Sequence, residues 1–193
     1  MNLPNKLTIT RIIMTPVFMF CLLCAFRFHY LVAMLIFIAA SLTDMFDGKY
    51  ARKHNLITNF GKFLDPIADK MLTTSALLGF IALNIGAGTA WVTFIILLRE
   101  FIVTGVRLSA ASSGKVIAAN IWGKAKTVVQ MISLIYGMFA QFLIFDCGVG
   151  SGSLAGIVLS SFTTVFLWLS AVLTVISGVI YLVDNKSVID TNN

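Results

Sequence analysis

From Phe162 to Val183 the chain reads "FTTVFLWLSAVLTVISGVIYLV", without one charged side chain. A helix needs roughly 20 predominantly apolar residues to span the hydrocarbon of a bilayer. "LVAMLIFIAASL" (31–42) is likewise uncharged, and "WVTFIILLREFIVTGV" (91–106) is apolar but for Arg99 and Glu100. Charged residues are 11% of the 193 and apolar ones 59%, whereas a soluble domain carries about 25% charge. The bilayer is therefore the solvent, and membrane lipids are partners by default. The apolar runs predict an all-α, polytopic membrane protein with six transmembrane helices, at about 9–26, 30–50, 66–84, 90–112, 121–145 and 155–183, in a single domain over residues 1–193. The first run is not a cleaved signal peptide: its apolar core is long, and no small-residue cleavage site ends it.

Basic residues set the orientation, because Lys and Arg near span ends favour the cytoplasmic side. Lys6 and Arg11 lie at the N-terminal end. Arg52, Lys53 and Lys62 follow the second span, Lys115, Lys124 and Lys126 surround the connection after the fourth, and Lys186 follows the sixth. The other three connections hold Arg27 alone. Both termini are thus expected in the cytoplasm. The net charge of +6 suits a face against anionic lipids, and no nucleic-acid partner is expected. Cys21 and Cys24 fall inside an apolar helix with no further ligands nearby, so packing is their expected role. Cys147 falls in an outer loop.

Half of the eight acidic residues crowd into one window, "DMFDGKYARKHNLITNFGKFLDPIADK" (44–70). Asp44 and Asp47 are spaced i, i+3, and Asp65 and Asp69 are spaced i, i+4, so each pair shares a helical face. Ala51 and Gly61 each lie one turn from a pair and leave room for a ligand to approach the backbone. An unpaired charge near the bilayer centre costs about 2.5–3.5 kcal/mol even on the lenient insertion scale. Four carboxylates therefore call for cations. Hard divalent ions take oxygen ligands and commonly bridge carboxylates to substrate phosphates, and two of them suit displacement at phosphorus. The competing reading pairs these aspartates with Lys49, Arg52, Lys62 and Lys70, and makes Asp65, before Pro66, a helix N-cap.

The window reads D-x2-D-G-x2-A-R-x8-G-x3-D-x3-D, through Asp44, Asp47, Gly48, Ala51, Arg52, Gly61, Asp65 and Asp69. This pattern resembles the signature of the CDP-alcohol phosphatidyltransferases. "NLPNKLTITR" (2–11), "LLREFIVTGVR" (97–107) and "WGKAKTVVQ" (122–130) resemble the branch of that family whose acceptor is glycerol 3-phosphate.

The resemblance implies transfer of a phosphatidyl group from CDP-diacylglycerol to an alcohol, with release of CMP. It implies two divalent cations, Mg²⁺ or Mn²⁺, on Asp44, Asp47, Asp65 and Asp69, with Asp69 also the catalytic base. It places Asn5, Thr8, Gly48, Ala51, Arg52 and Gly61 around CDP-diacylglycerol, and it implies a homodimer in the bacterial cytoplasmic membrane with its site facing the cytoplasm. A dianionic acceptor needs cations, and Arg107, Lys124 and Lys126 are the candidates at the cytoplasmic ends of spans 4 and 5. Lys124 and Lys126 point to different faces. Arg99 and Glu100, deeper in span 4, are either functional or a structural pair, and Arg11 binds phosphate or snorkels. Other branches would use serine, inositol phosphate or phosphatidylglycerol as acceptor. A divalent-cation transporter is the rival outside the family, although transporter sites usually lie at mid-membrane.

Overall fold

The computed structural model describes residues 3–54, 59–112 and 121–186, except the side chains of residues 3–7, 44–54, 59–66, 69, 111 and 112. The described residues form helices and short connections, with no strand among them. The helices are α1 (Leu3–Leu23), α2 (His29–His54), α3 (Asn59–Ala82), α4 (Thr89–Ser112), α5 (Ile121–Gln141) and α6 (Leu154–Asp184), and α5 ends in a π-helical turn at Phe142–Asp146. Each of the six expected spans falls on one helix. The main departure is α3, which begins at Asn59 where hydropathy placed a start near residue 66. Its first two turns mix Phe60, Phe63 and Leu64 with Asn59, Lys62 and Asp65, so an apolar window does not register them. Asp65 consequently lies inside α3 and is not its N-cap.

The helices close into a ring. α1 packs on α2, α2 on α5, α5 on α6, α6 on α4, α4 on α3, and α3 back on α1. Tertiary contacts identify two ends. At one, the Phe28 amide donates to Asp146 Oδ1 at 3.2 Å, and Trp168 Nε1 donates to the Ala87 carbonyl at 3.0 Å. Away from that end, the middle of α3 and the second turn of α5 meet the middle of α4 through Lys70, Lys126 and Glu100, and towards the second end Arg107 of α4 meets Tyr181 of α6. The chain therefore runs up and down. The last turns of α2 and the first turns of α3, which carry the aspartate motif, lie at this second end.

Phe18, Phe37, Phe80, Leu134, Met138 and Leu167 fill the core. The inner face of α6 is built differently. Thr163, Ser170, Ala171, Thr174, Ser177 and Gly178 are all buried there. Their hydroxyls bond back to carbonyls of the same helix, as Thr174 does to Ser170 at 2.7 Å. Small residues with internally satisfied hydroxyls let backbones approach where lipid removes the hydrophobic drive between helices. Ser133 of α5 uses this closeness, since its Oγ lies 2.9 Å from the Phe166 carbonyl of α6.

The outer surface is apolar. Trp91, Phe94, Leu98, Phe101 and Leu108 form an exposed stripe along α4, while Val92, Ile96 and Val103 face inward. Such a surface fits lipid and not water. Among the described residues, three segments are long and apolar enough to cross a membrane: Thr89–Ala110, Ile121–Asp146 and Leu154–Asp184. The apolar parts of the others, Thr8–Leu23, His29–Thr43 and Lys70–Ala82, are shorter.

Gly137 marks where α3, α5 and α6 converge. A Cβ there would stand 2.5 Å from Phe80 Cε2 and 3.2 Å from Thr163 Cγ2. Both neighbours are fully buried, so neither can yield without moving its helix. Gly137→Ala is expected to cost about 1–3 kcal/mol through overpacking, read as a fall in the thermal unfolding midpoint in detergent. An unchanged midpoint would show that this junction is loose.

Candidate functional site

The motif occupies the end of one helix and the start of the next. Asp44 and Asp47 lie one turn apart on α2, followed on that helix by Gly48, Ala51 and Arg52. Gly61, Asp65 and Asp69 lie on successive turns at the start of α3. These eight side chains fall outside the described ones, so the roles expected of them rest on residue type and helical position. Among the described residues, no three His, Cys, Asp or Glu side chains converge on a point that could hold a metal. The donor set of the motif nonetheless fits a hard divalent cation: four carboxylates on adjacent helix ends, all oxygen donors. The first helix contributes at the same end. Thr8 and Arg11, one turn apart on α1, are each only 2% exposed, and the Arg11 carbonyl accepts a hydrogen bond from Thr15 Oγ1 at 2.9 Å. Asn5 lies one turn before Thr8, with its side chain outside the description.

Beside the motif, the structure assembles charges that the sequence scatters over almost 60 positions. Glu100, the chain's sole glutamate, accepts from Lys126 Nζ at 2.5 Å, from Lys70 Nζ at 3.3 Å and from Arg99 Nη1 at 3.4 Å. One carboxylate thus joins α3, α4 and α5. Lys70 also bonds the Thr104 hydroxyl, which in turn donates to the Glu100 carbonyl at 2.7 Å. Lys126 donates to Gln130 Oε1 at 3.2 Å, one turn along α5. The Lys126 side chain is only 4% exposed and that of Glu100 22%. A charge pair this sheltered costs about 3–5 kcal/mol to break by removing one partner.

The three cations expected to hold an acceptor part company. Lys126 faces Glu100, whereas Lys124, two residues earlier, is exposed; a two-residue step turns a helix by roughly 200°. Arg107 turns to α6. Its guanidinium lies 5.5 Å from the Tyr181 ring centroid, and its Nε donates to the Tyr181 hydroxyl at 3.3 Å. Arg99 is wedged between two helices where glycines make room. A Cβ on Gly178 would come within 3.0 Å of its Cγ, and one on Gly123 within 3.5 Å of Nη2. Arg99 and Glu100 are therefore a contact within a larger cluster and not an isolated pair. Lys70, expected as a counter-ion for the aspartates, has its described partners on α4. Gln130 and Tyr181 escaped sequence reading, because nothing in an apolar run marks which polar group meets a charge from another helix. Cys21 and Cys24 are half-buried and free, and Cys147 is exposed and free.

Known proteins resemble this chain in sequence. The family profile for CDP-alcohol phosphatidyltransferases matches residues 1–176. A Bacillus subtilis (strain 168) protein named CDP-diacylglycerol–glycerol-3-phosphate 3-phosphatidyltransferase is 40% identical over 100% of this chain and 99% of its own length. A Rickettsia bellii (strain RML369-C) protein of the same name is 37% identical over 93% of each chain. A Mycobacterium tuberculosis (strain ATCC 25618 / H37Rv) protein named probable phosphatidylglycerophosphate synthase is 45% identical over 72% of this chain and 65% of its own. With the motif complete and the match running nearly end to end, the chain belongs to the CDP-alcohol phosphatidyltransferase family.

Proposed function

We propose that this protein transfers the phosphatidyl group of CDP-diacylglycerol to sn-glycerol 3-phosphate, giving phosphatidylglycerophosphate and CMP. The observation that carries this reading is the similarity to the Bacillus subtilis protein of that name over essentially both whole chains. The cationic cluster on α4 supports it, since three cations on one carboxylate suit an acceptor that is itself a dianion.

In this reading all six helices cross the membrane, with both termini in the cytoplasm. α2 has 26 residues and is about 39 Å long at 1.5 Å per residue, longer than the roughly 30 Å hydrocarbon core. Its polar last turns therefore reach the interface, where the diphosphate meets water while the acyl chains stay in lipid. Asp44, Asp47, Asp65 and Asp69 would hold two divalent cations, Mg²⁺ or Mn²⁺, against the diphosphate. Bound there, such ions neutralise the phosphates and ease the departure of CMP. Asn5, Thr8, Gly48, Ala51, Arg52 and Gly61 surround the CDP moiety, with small residues where the backbone and nucleotide come close. Of the three cations expected for the acceptor phosphate, Lys126, turned to Glu100, and Arg107, turned to Tyr181, would hold it, while Lys124 is exposed. Asp69 takes the proton from the acceptor hydroxyl as its oxygen bonds the β-phosphorus and the bond to CMP breaks.

CMP release from CDP-diacylglycerol is expected with glycerol 3-phosphate, and not with serine, inositol phosphate or phosphatidylglycerol. A preference for any of the latter would move the protein to another branch. Turnover should vanish on chelation and return with Mg²⁺ or Mn²⁺. Asp69→Asn should lower kcat by roughly 100-fold or more, the scale of a lost general base, while CDP-diacylglycerol still binds. Asp44→Asn, Asp47→Asn and Asp65→Asn should each abolish most activity at saturating Mg²⁺; near-normal turnover in all three would refute the metal site. Lys126→Gln and Arg107→Ala should raise KM for glycerol 3-phosphate by roughly tenfold, the scale of one charge-assisted hydrogen bond, with a smaller effect from Lys124→Ala. A rise confined to the KM for CDP-diacylglycerol would reverse that assignment.

A further inference from the structure

Glu100 belongs neither to the aspartate motif nor to the cations expected to hold the acceptor, yet it touches both neighbourhoods. Lys70, on its second oxygen at 3.3 Å, is the residue after Asp69 on α3. Lys126, on its first oxygen at 2.5 Å, is a candidate acceptor ligand on α5. Arg99 Nη1 is 3.4 Å from that same first oxygen. The carboxylate is anchored on α4, which packs against α3 and α6.

We infer that Glu100 is a positioning residue for the acceptor phosphate: it gathers Lys70, Lys126 and Arg99 into one cationic cluster and fixes that cluster beside the turn that carries Asp69. Three physical points support this inference, which rests on the function proposed above. A site for a dianion needs several cations close together, and these repel one another while the site is empty. A single carboxylate beneath them offsets that repulsion without neutralising them, so the cluster keeps its affinity for an anion. A lysine ammonium rides on a flexible stem, and Glu100 and Gln130 Oε1 (3.2 Å) together fix where the Lys126 ammonium sits. The bonds from Lys70 to Glu100 and Thr104 also tie α3 to α4 at Asp69, and so link the position of the base to that of the acceptor.

The test is steady-state kinetics of the full-length protein in nanodiscs, with each substrate varied in turn and unfolding midpoints measured alongside. Glu100→Gln keeps the shape and removes the charge. It is expected to raise KM for glycerol 3-phosphate by about tenfold, leave KM for CDP-diacylglycerol within about twofold, and shift inhibition by inorganic phosphate in the same direction. Glu100→Asp should recover part of the loss. Because Glu100 acts through Lys126, Glu100→Gln combined with Lys126→Gln should be no worse than Lys126→Gln alone, within about twofold. An unchanged KM for glycerol 3-phosphate in Glu100→Gln overturns the inference. So does a parallel rise of both KM values with a lowered midpoint, which marks a merely structural ion pair. If Glu100→Gln does not fold, Gln130→Leu decides: a rise of about threefold in KM for glycerol 3-phosphate alone supports the inference, and no change overturns it. A wild-type protein inactive with glycerol 3-phosphate overturns the proposed function as well. An active wild type with an unaffected Glu100→Gln overturns this inference alone.

Discussion

A charge placed inside a membrane bundle must be matched by an opposite charge, and Glu100 is where this protein meets that constraint most visibly. Its carboxylate draws Lys70, Arg99 and Lys126 to one place. It thereby sets how α3, α4 and α5 meet, one residue along α3 from the last aspartate of the motif. The end of the bundle away from the motif is held by neutral contacts and one aspartate that accepts from the Phe28 amide. In the proposed reading this asymmetry serves the reaction: phosphates of donor and acceptor both need cations, and cations within a bundle are tolerated where they are paired.

The rest of the bundle supplies rigidity. Small and hydroxylated residues on the inner face of α6 let it seat against α5, and Gly137 lets the Phe80 ring reach the junction of three helices. Apolar residues on the outside, such as the α4 stripe from Trp91 to Leu108, leave the outer face to lipid. A fold of this kind can present a fixed charged end to water while its substrate remains dissolved in the bilayer.

Hydropathy made the helices legible, because a chain in lipid has to be apolar wherever it is bare. It failed at the start of α3, where turns of mixed polarity bearing Asp65 are helical for reasons that an apolar window does not measure. The aspartate motif was legible as residue types at helical spacing, and its side chains are still known from the sequence alone. Glu100 was conspicuous as an acid in an apolar run, but its partners were hidden. Spacing along one helix sets which residues share a face, and it says nothing of which neighbouring helix that face meets. The same limit explains Lys124 and Lys126: their divergence followed from a two-residue step, but only the packing of α5 against its neighbours decided which one turned inward.

In the proposed reaction the bundle holds both phosphates at once, and the acceptor attacks the donor directly. The motif offers carboxylates and no Ser, Cys or His at its fixed positions, and in that reaction its four aspartates would serve the metals and the proton transfer. The stereochemical course at the transferred phosphorus tests this most directly. With CDP-diacylglycerol made chiral at the β-phosphorus and glycerol 3-phosphate as acceptor, a single in-line displacement gives product of inverted configuration. Retention would mean two displacements through a phosphatidyl-enzyme, and would contradict the account.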